Sequence, residues 1–172
     1  MALTDIEIQT AASILRRMDD GTGFIPQLIF EAVVPQVVTA PVELGIFRGP
    51  KASREVLMVQ RPLDDPHFLP GGWHMPGTVM RVSDTCIEDA LQRLRAEELE
   101  HALTAPFCLG HIFMPKQLVA NRPAMSLLYA AKVDEDYDGK GTFFRADAPP
   151  ETTLPHHRVL LEAMLERLPD SF

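Results

Sequence analysis

The sequence predicts an α/β (α+β) domain with a mixed sheet between helices. Three observations carry this. β-rich runs lie on both sides of one acidic helix, a second amphipathic helix closes the chain, and no repeat or compositional break divides the 172 residues. A hydrophobic content of 46%, a charged content of 23% and a mean hydropathy of −0.01 are those of an ordinary globular chain with its own core. Residues 1–172 therefore read as one domain.

Taken in order, Asp5 to Met18 sets Ile6, Ala11, Ile14, Leu15 and Met18 at helical spacing, with Thr4 or Asp5 as cap. Asp19-Asp20-Gly21-Thr22-Gly23 stops that helix, so residues 1–23 form a helical extension. Leu28 to Val38, Val42 to Phe47 and Glu55 to Gln60 read as β-rich, the last two joined at Gly49-Pro50-Lys51 into a hairpin. An acidic helix spans Ile87 to His101. Strands follow at Phe107 to Met114 and Ala124 to Val133, separated by a loop with Pro115 and Asn121-Arg122-Pro123. Pro155 to Leu168 is the last helix, with Val159, Leu160, Ala163, Met164 and Leu168 on its apolar side.

The chemistry concentrates between residues 68 and 101. In Leu69-Pro70-Gly71-Gly72-Trp73-His74-Met75-Pro76-Gly77, twin glycines allow positive φ and close approach of backbone to a ligand, and Pro76-Gly77 makes a second turn. The helix that follows carries Glu97-Glu98. An oxygen-rich corner beside two carboxylates suits magnesium (or manganese) better than zinc. At helical spacing Leu94, Glu97, Glu98 and His101 share one stripe. Leu94 stands where a third carboxylate would complete a metal cluster, and leucine neither ligates nor takes a proton. Magnesium nevertheless keeps several waters and needs only one or two protein carboxylates.

Each candidate has a plainer alternative. Glu97 and Glu98 read as metal ligands and catalytic groups, or as a solvated helix end. Arg93, four before Glu97, reads as a helix salt bridge or a substrate contact. His74 is either a phosphate contact or base, or an exposed loop histidine; His101 either extends the acidic stripe as a ligand or does not. Asp136 and Asp138 can supply a late ligand or base, or form a polar turn. Trp73 stacks on a base or sugar, or packs over the loop. His156-His157 open the last helix, where a buried polar contact is expected.

With these residues in view, the chain resembles the Nudix hydrolases, whose signature joins a Gly-rich loop to a helix with an Arg-Glu-x-x-Glu-Glu-like pattern. Phe68-Leu69-Pro70-Gly71-Gly72 is similar to the loop, and Pro76-Gly77 to its second turn; Ala90, Arg93, Glu97, Glu98 and Leu99 fall in register with the helix. Thr78 replaces a usual Glu, Leu94 the first catalytic Glu and Glu100 the closing Gly, and roughly six extra residues separate Thr78 from the helix. The resemblance implies an α/β/α sandwich with a mixed sheet and a metal-dependent hydrolase of a nucleoside diphosphate linked to another moiety, with a nucleotide-binding module as the alternative. Taken together with the candidates above, the expected catalytic residues are Glu98, Glu97, His74 and Asp138, the expected substrate contacts Gly71, Gly72, Trp73 and Arg93, and the expected site of a Mg2+ or Mn2+ ion Glu98, Glu97 and the Gly72 carbonyl. The GDP-mannose mannosyl hydrolase subgroup also lacks the first Glu. Glu98 and a Gly71 or Gly72 carbonyl carry over from it, whereas its Gln-His pair does not, since this chain has Asp136-Tyr137-Asp138-Gly139-Lys140-Gly141 there.

Composition excludes other classes. A net charge of −8 with scattered basic residues disfavours nucleic acid as a partner. No apolar run nears the roughly 20 residues needed to span a bilayer, and the acidic N-terminus is unlike a signal peptide. A cytoplasmic protein is expected, with Cys86 and Cys108 as reduced thiols. The apolar Phe24 to Val38 segment and the N-terminal helix point to a homodimer.

Overall fold

The apolar run Val42 to Phe47 becomes β1 (Pro41–Arg48), the hub of a seven-stranded mixed sheet. In this computed structural model residues 3–17, 25–64, 70–99, 105–119, 122–133 and 136–172 are described. The hairpin through Gly49 forms as expected: β1 pairs antiparallel with β2 (Glu55–Gln60), Phe47 opposite Val56. On its other side β1 runs parallel to β6 (Ala124–Lys132), which pairs antiparallel with β5 (Phe107–Met114). Three short strands complete the sheet. β3 (Trp73–His74) and β7 (Thr142–Arg145) pair with β2, and β4 (Gly77–Val79) pairs with the start of β1. Strands this short leave no alternating pattern in a sequence, and none of the three was expected.

Both faces of the sheet are covered, as the buried length of β1 requires. Helix α3 (Ile87–Leu94) lays Ala90, Leu91 and Leu94 on Val42, Leu44, Ile46 and Leu57. Helix α4 (Pro155–Arg167) lays Leu160, Leu161 and Met164 on Phe47, Val56, Met58 and Leu128. The architecture is the expected α/β/α sandwich.

Two expectations for the first third of the chain come out differently. Helix α1 (Asp5–Arg17) forms, but buries none of its residues, leaving Ile6, Ile14 and Leu15 exposed. The segment read as β-rich, Leu28 to Val38, is instead α2 (Gln27–Val33) followed by a 3-10 turn, Val34–Gln36. The Pro26 carbonyl accepts the Ile29 and Phe30 N–H groups, and Pro35 opens the 3-10 turn. Proline punctuation outweighs the β-branched composition there.

The acidic helix also departs from a regular α-helix. It begins well capped: Asp89 reaches back to accept from the Thr85 N–H (2.7 Å), the Thr85 hydroxyl (2.6 Å) and the Cys86 N–H (3.3 Å). After Leu94 it passes into a π-helical turn, Arg95–Leu99. That wider turn sets Leu99 rather than Glu98 beneath Leu94, and both leucines are buried. The single stripe of Leu94, Glu97, Glu98 and His101 expected from α spacing is therefore split between core and cleft, and Glu100 and His101 lie outside the described residues.

A candidate active site around Gly77

Glu98 is turned toward the second turn of the glycine loop. The Gly77 N–H donates to its carboxylate, while Oε2 is buried without a hydrogen-bond partner among the described residues. Burial is the main reason its pKa is pushed up to about 7; the Gly77 N–H opposes the rise and Glu97 adds to it. A second carboxylate meets it there, one that motif reading missed. Glu43 of β1 is opposite Gly77 in register, and a Cβ on Gly77 would sit 2.4 Å from Glu43 Oε2. Glu43 is 7% exposed, its Oε2 has no partner, and burial, then the Glu98 charge, push its pKa up to about 8.

Three imidazoles stand on the other side. His74 lies 5.5 Å from His157 and His156 lies 4.4 Å from His157, centroid to centroid. His157 Nδ1 accepts the Met75 N–H at 3.3 Å, and His74 Nδ1 is 2.9 Å from the Met75 carbonyl oxygen, to which it donates as the Nδ1–H tautomer. Burial holds His156 down to about 4 and His157 well below the usual histidine range, so both are neutral at pH 7. Arg61 acts electrostatically on Glu98, His156 and His157 alike. The His156-His157 pair is buried as expected, and His156 shares a cavity wall with Glu43.

Glu43 and His156 line a cavity of about 130 Å³ together with Ser126 and Arg122. It adjoins a larger apolar groove of about 520 Å³ between α2 and β4, with Phe30, Val34, Thr39 and Val79 bordering both. A polar end and an apolar trough thus lie side by side.

The remaining candidates are placed as follows. Glu97 is more than half exposed and 3.6 Å from Arg81, away from the buried pair. Arg93 does not pair with Glu97. Its guanidinium donates to Thr78 Oγ1 at 2.5 Å, the Val79 carbonyl at 3.3 Å and Asp84 at 2.7 Å, pinning β4 and the following turn to α3. Gly71 has φ +73°, as a tight loop demands, and its carbonyl accepts from Gln60; the Gly72 carbonyl accepts the Arg61 N–H at 3.0 Å. Trp73 packs edge to face on Phe144 at 4.8 Å, which commits the ring to packing. Asp138 is exposed, on a loop held to the end of the π-turn by the Lys140 N–H and the Leu99 carbonyl. Phe68 and Leu69 lie outside the described residues. Cys86 and Cys108 are free thiols, and no described helix is long and apolar enough to cross a membrane.

No protein-family model matches the sequence, and no curated protein matches it. Solved structures do. The chain is similar to the NUDIX domain of Shewanella oneidensis NrtR complexed with ADP ribose, with TM-score 0.60 and 19% identity, over 84% of this chain and 100% of that one. It is similar to the MutT NUDIX hydrolase from Burkholderia pseudomallei, with TM-score 0.57 and 19% identity, over 74% and 98% of the two chains. A NUDIX hydrolase from Nitrosomonas europaea gives TM-score 0.58 and 16% identity, over 77% and 93%. At such identities the likeness speaks to architecture: the chain has the Nudix fold.

Proposed function

We propose that this protein is a divalent-metal-dependent hydrolase of a nucleoside diphosphate linked to another moiety, such as a nucleotide sugar or ADP-ribose. The observation that carries the reading is the buried, half-satisfied carboxylate of Glu98 at the Gly77 turn, in the loop and helix that supply the family's metal site. Burying a carboxylate with an orphan oxygen is costly unless a cation or ligand satisfies it, and hard oxygen donors fit Mg2+ or Mn2+. Glu98 and the Gly72 carbonyl, whose second lone pair is not used by Arg61, would hold the ion. When bound, it supplies Lewis-acid polarisation of phosphate oxygens and a lowered pKa for attacking water.

The chain's own groups account for the rest. Arg61 places a positive charge where a diphosphate would lie. The apolar groove is of a size that takes a nucleoside-sized group. His74, with its Nδ1–H committed to Met75, carries its basic lone pair on Nε2. Asp138 and Glu97 are left at the rim. Attack on carbon, as the mannosyl hydrolase resemblance implies, and attack on phosphorus differ in products: monosaccharide plus nucleoside diphosphate, or two monophosphates.

A binding module that holds such a ligand without turnover is the second reading. It is favoured by Leu94, which is built into the core and supplies no carboxylate. The similar NrtR domain was crystallised with ADP ribose. NMR product analysis after long incubation with Mg2+ and a panel of ADP-ribose and nucleotide sugars separates the two. Turnover that Glu98→Gln removes supports the hydrolase. Ligand-induced thermal stabilisation with no product across the panel supports the module. The exposed apolar side chains of α1 also support a homodimer; a monomer in light scattering at micromolar concentration would remove that idea.

A further inference from the structure

We propose that Glu43 is a second carboxylate ligand of the divalent cation, supplied by β1 in place of the one that Leu94 cannot provide. The inference rests on the metal-dependent reading above and extends it to a residue outside the loop and helix. Leu94 and Glu43 lie on opposite sides of the sheet. Leu94 joins the cluster formed by Val42, Leu44, Ile46 and α3, and the alternation of β1 sends Glu43 to the other face. A carboxylate added at Leu94 would enter that core, whereas Glu43 already reaches the Gly77 turn that Glu98 also uses.

The position is built to hold the side chain. Gly77 pairs directly with Glu43, and any side chain there would occupy the space of Oε2, so the glycine makes room for the carboxylate. Among the described residues nothing donates to Glu43 Oε2 or to Glu98 Oε2, although both are buried. Two carboxylates within electrostatic reach of each other, each with an orphan oxygen, repel when both are ionised; a cation shared between them removes the repulsion and satisfies both oxygens. Two carboxylates with waters and ligand oxygens completing the shell is an arrangement that magnesium and manganese accept. The two carboxylates meet at Gly77, and Glu43 also lines the small cavity beside His156.

The test is Mn2+ binding, read from the loss of the free-ion EPR signal with no nucleotide present, so that affinity is measured apart from turnover. Wild type is expected to bind. Glu98→Gln and Glu43→Gln are each expected to weaken binding about tenfold or more, with circular dichroism in EDTA confirming that both fold. If Glu43→Gln does not fold, Glu43→Asp withdraws the carboxylate by one methylene and is expected to weaken binding about fivefold. Loss in Glu98→Gln with wild-type affinity in the Glu43 variant would overturn the role of Glu43 and leave the hydrolase reading standing. No Mn2+ binding by wild type would overturn both.

Discussion

The two faces of β1 obey different rules. Toward α3 the strand presents Val42, Leu44 and Ile46, all fully buried in an apolar cluster. Toward α4 the alternate positions are Glu43, Gly45 and Phe47, so one strand places a carboxylate, a glycine and an aromatic ring against the other layer. The first face gains free energy from every residue, about 25 cal/mol per Å² of apolar surface removed from water. The second gives some of it back, since Glu43 is desolvated without a donor. The comparison teaches that the α3 side is apolar throughout, while the α4 side, at its Glu43 end, bears a desolvation cost that protonation or a bound cation would offset.

Moving a carboxylate from one face to the other should break the contrast most severely. Leu94→Glu, which supplies the acidic residue that the Nudix resemblance implies at this position, should cost about 3–5 kcal/mol, because it buries a charge in the α3 cluster. Urea unfolding would show this. A stable Leu94→Glu protein with tighter metal binding would mean that the two faces are not so distinct.

Removing the charge at Glu43 sharpens the same contrast from the other side. Its folded pKa is raised to about 8, from 4.5, so its contribution is fully present below 4.5 and is lost as pH rises through 8. In EDTA, Glu43→Gln should therefore melt several degrees higher than wild type above pH 8 and about the same below pH 4.5. On the acid side the sign comes from the imidazoles. His156 is held down to about 4, so stability falls as pH drops from 6.5 toward 4 in wild type and variant alike. A Glu43→Gln curve parallel to wild type at every pH would show that the carboxylate is satisfied in solution. The smallest effect is expected at Glu97, exposed and 3.6 Å from Arg81. Glu97→Gln should change stability by less than about 0.5 kcal/mol and leave Mn2+ affinity within about twofold.

The long elements were legible because their patterns are repeated. β1, β2, β5 and β6 and the two helices that flank the sheet are runs in which burial and composition agree. The segment from Leu28 to Val38 misled because apolar and β-branched residues dominate it, while the deciding signals, Pro26 and Pro35, are single residues. The π-turn after Leu94 has no periodicity of its own, and it decides which glutamate faces the cleft. Within the candidate site, the structure sets Glu98 beside the Gly77 turn of the expected loop, whereas Arg93 was read along its own helix although its partners are Thr78 and Asp84, brought near by β4. Glu43 carried a signal that motif reading passes over. A carboxylate inside the apolar run of a strand covered on both sides is largely withdrawn from water, which marks it as a position with a purpose beyond packing.

The parallel register that sets Val42 against Leu127 also governs the order in which the molecule can be assembled. During synthesis β1 and β2 emerge together and can close a hairpin at once, a local event on the microsecond scale. The other edge of β1 waits until β6 has left the ribosome, because a parallel partner cannot be reached by a tight turn. Until then the hub strand has an open edge, and the pocket wall holding Glu43 has only one side. A nascent chain halted before Ala124 would expose an apolar edge prone to pairing with other chains.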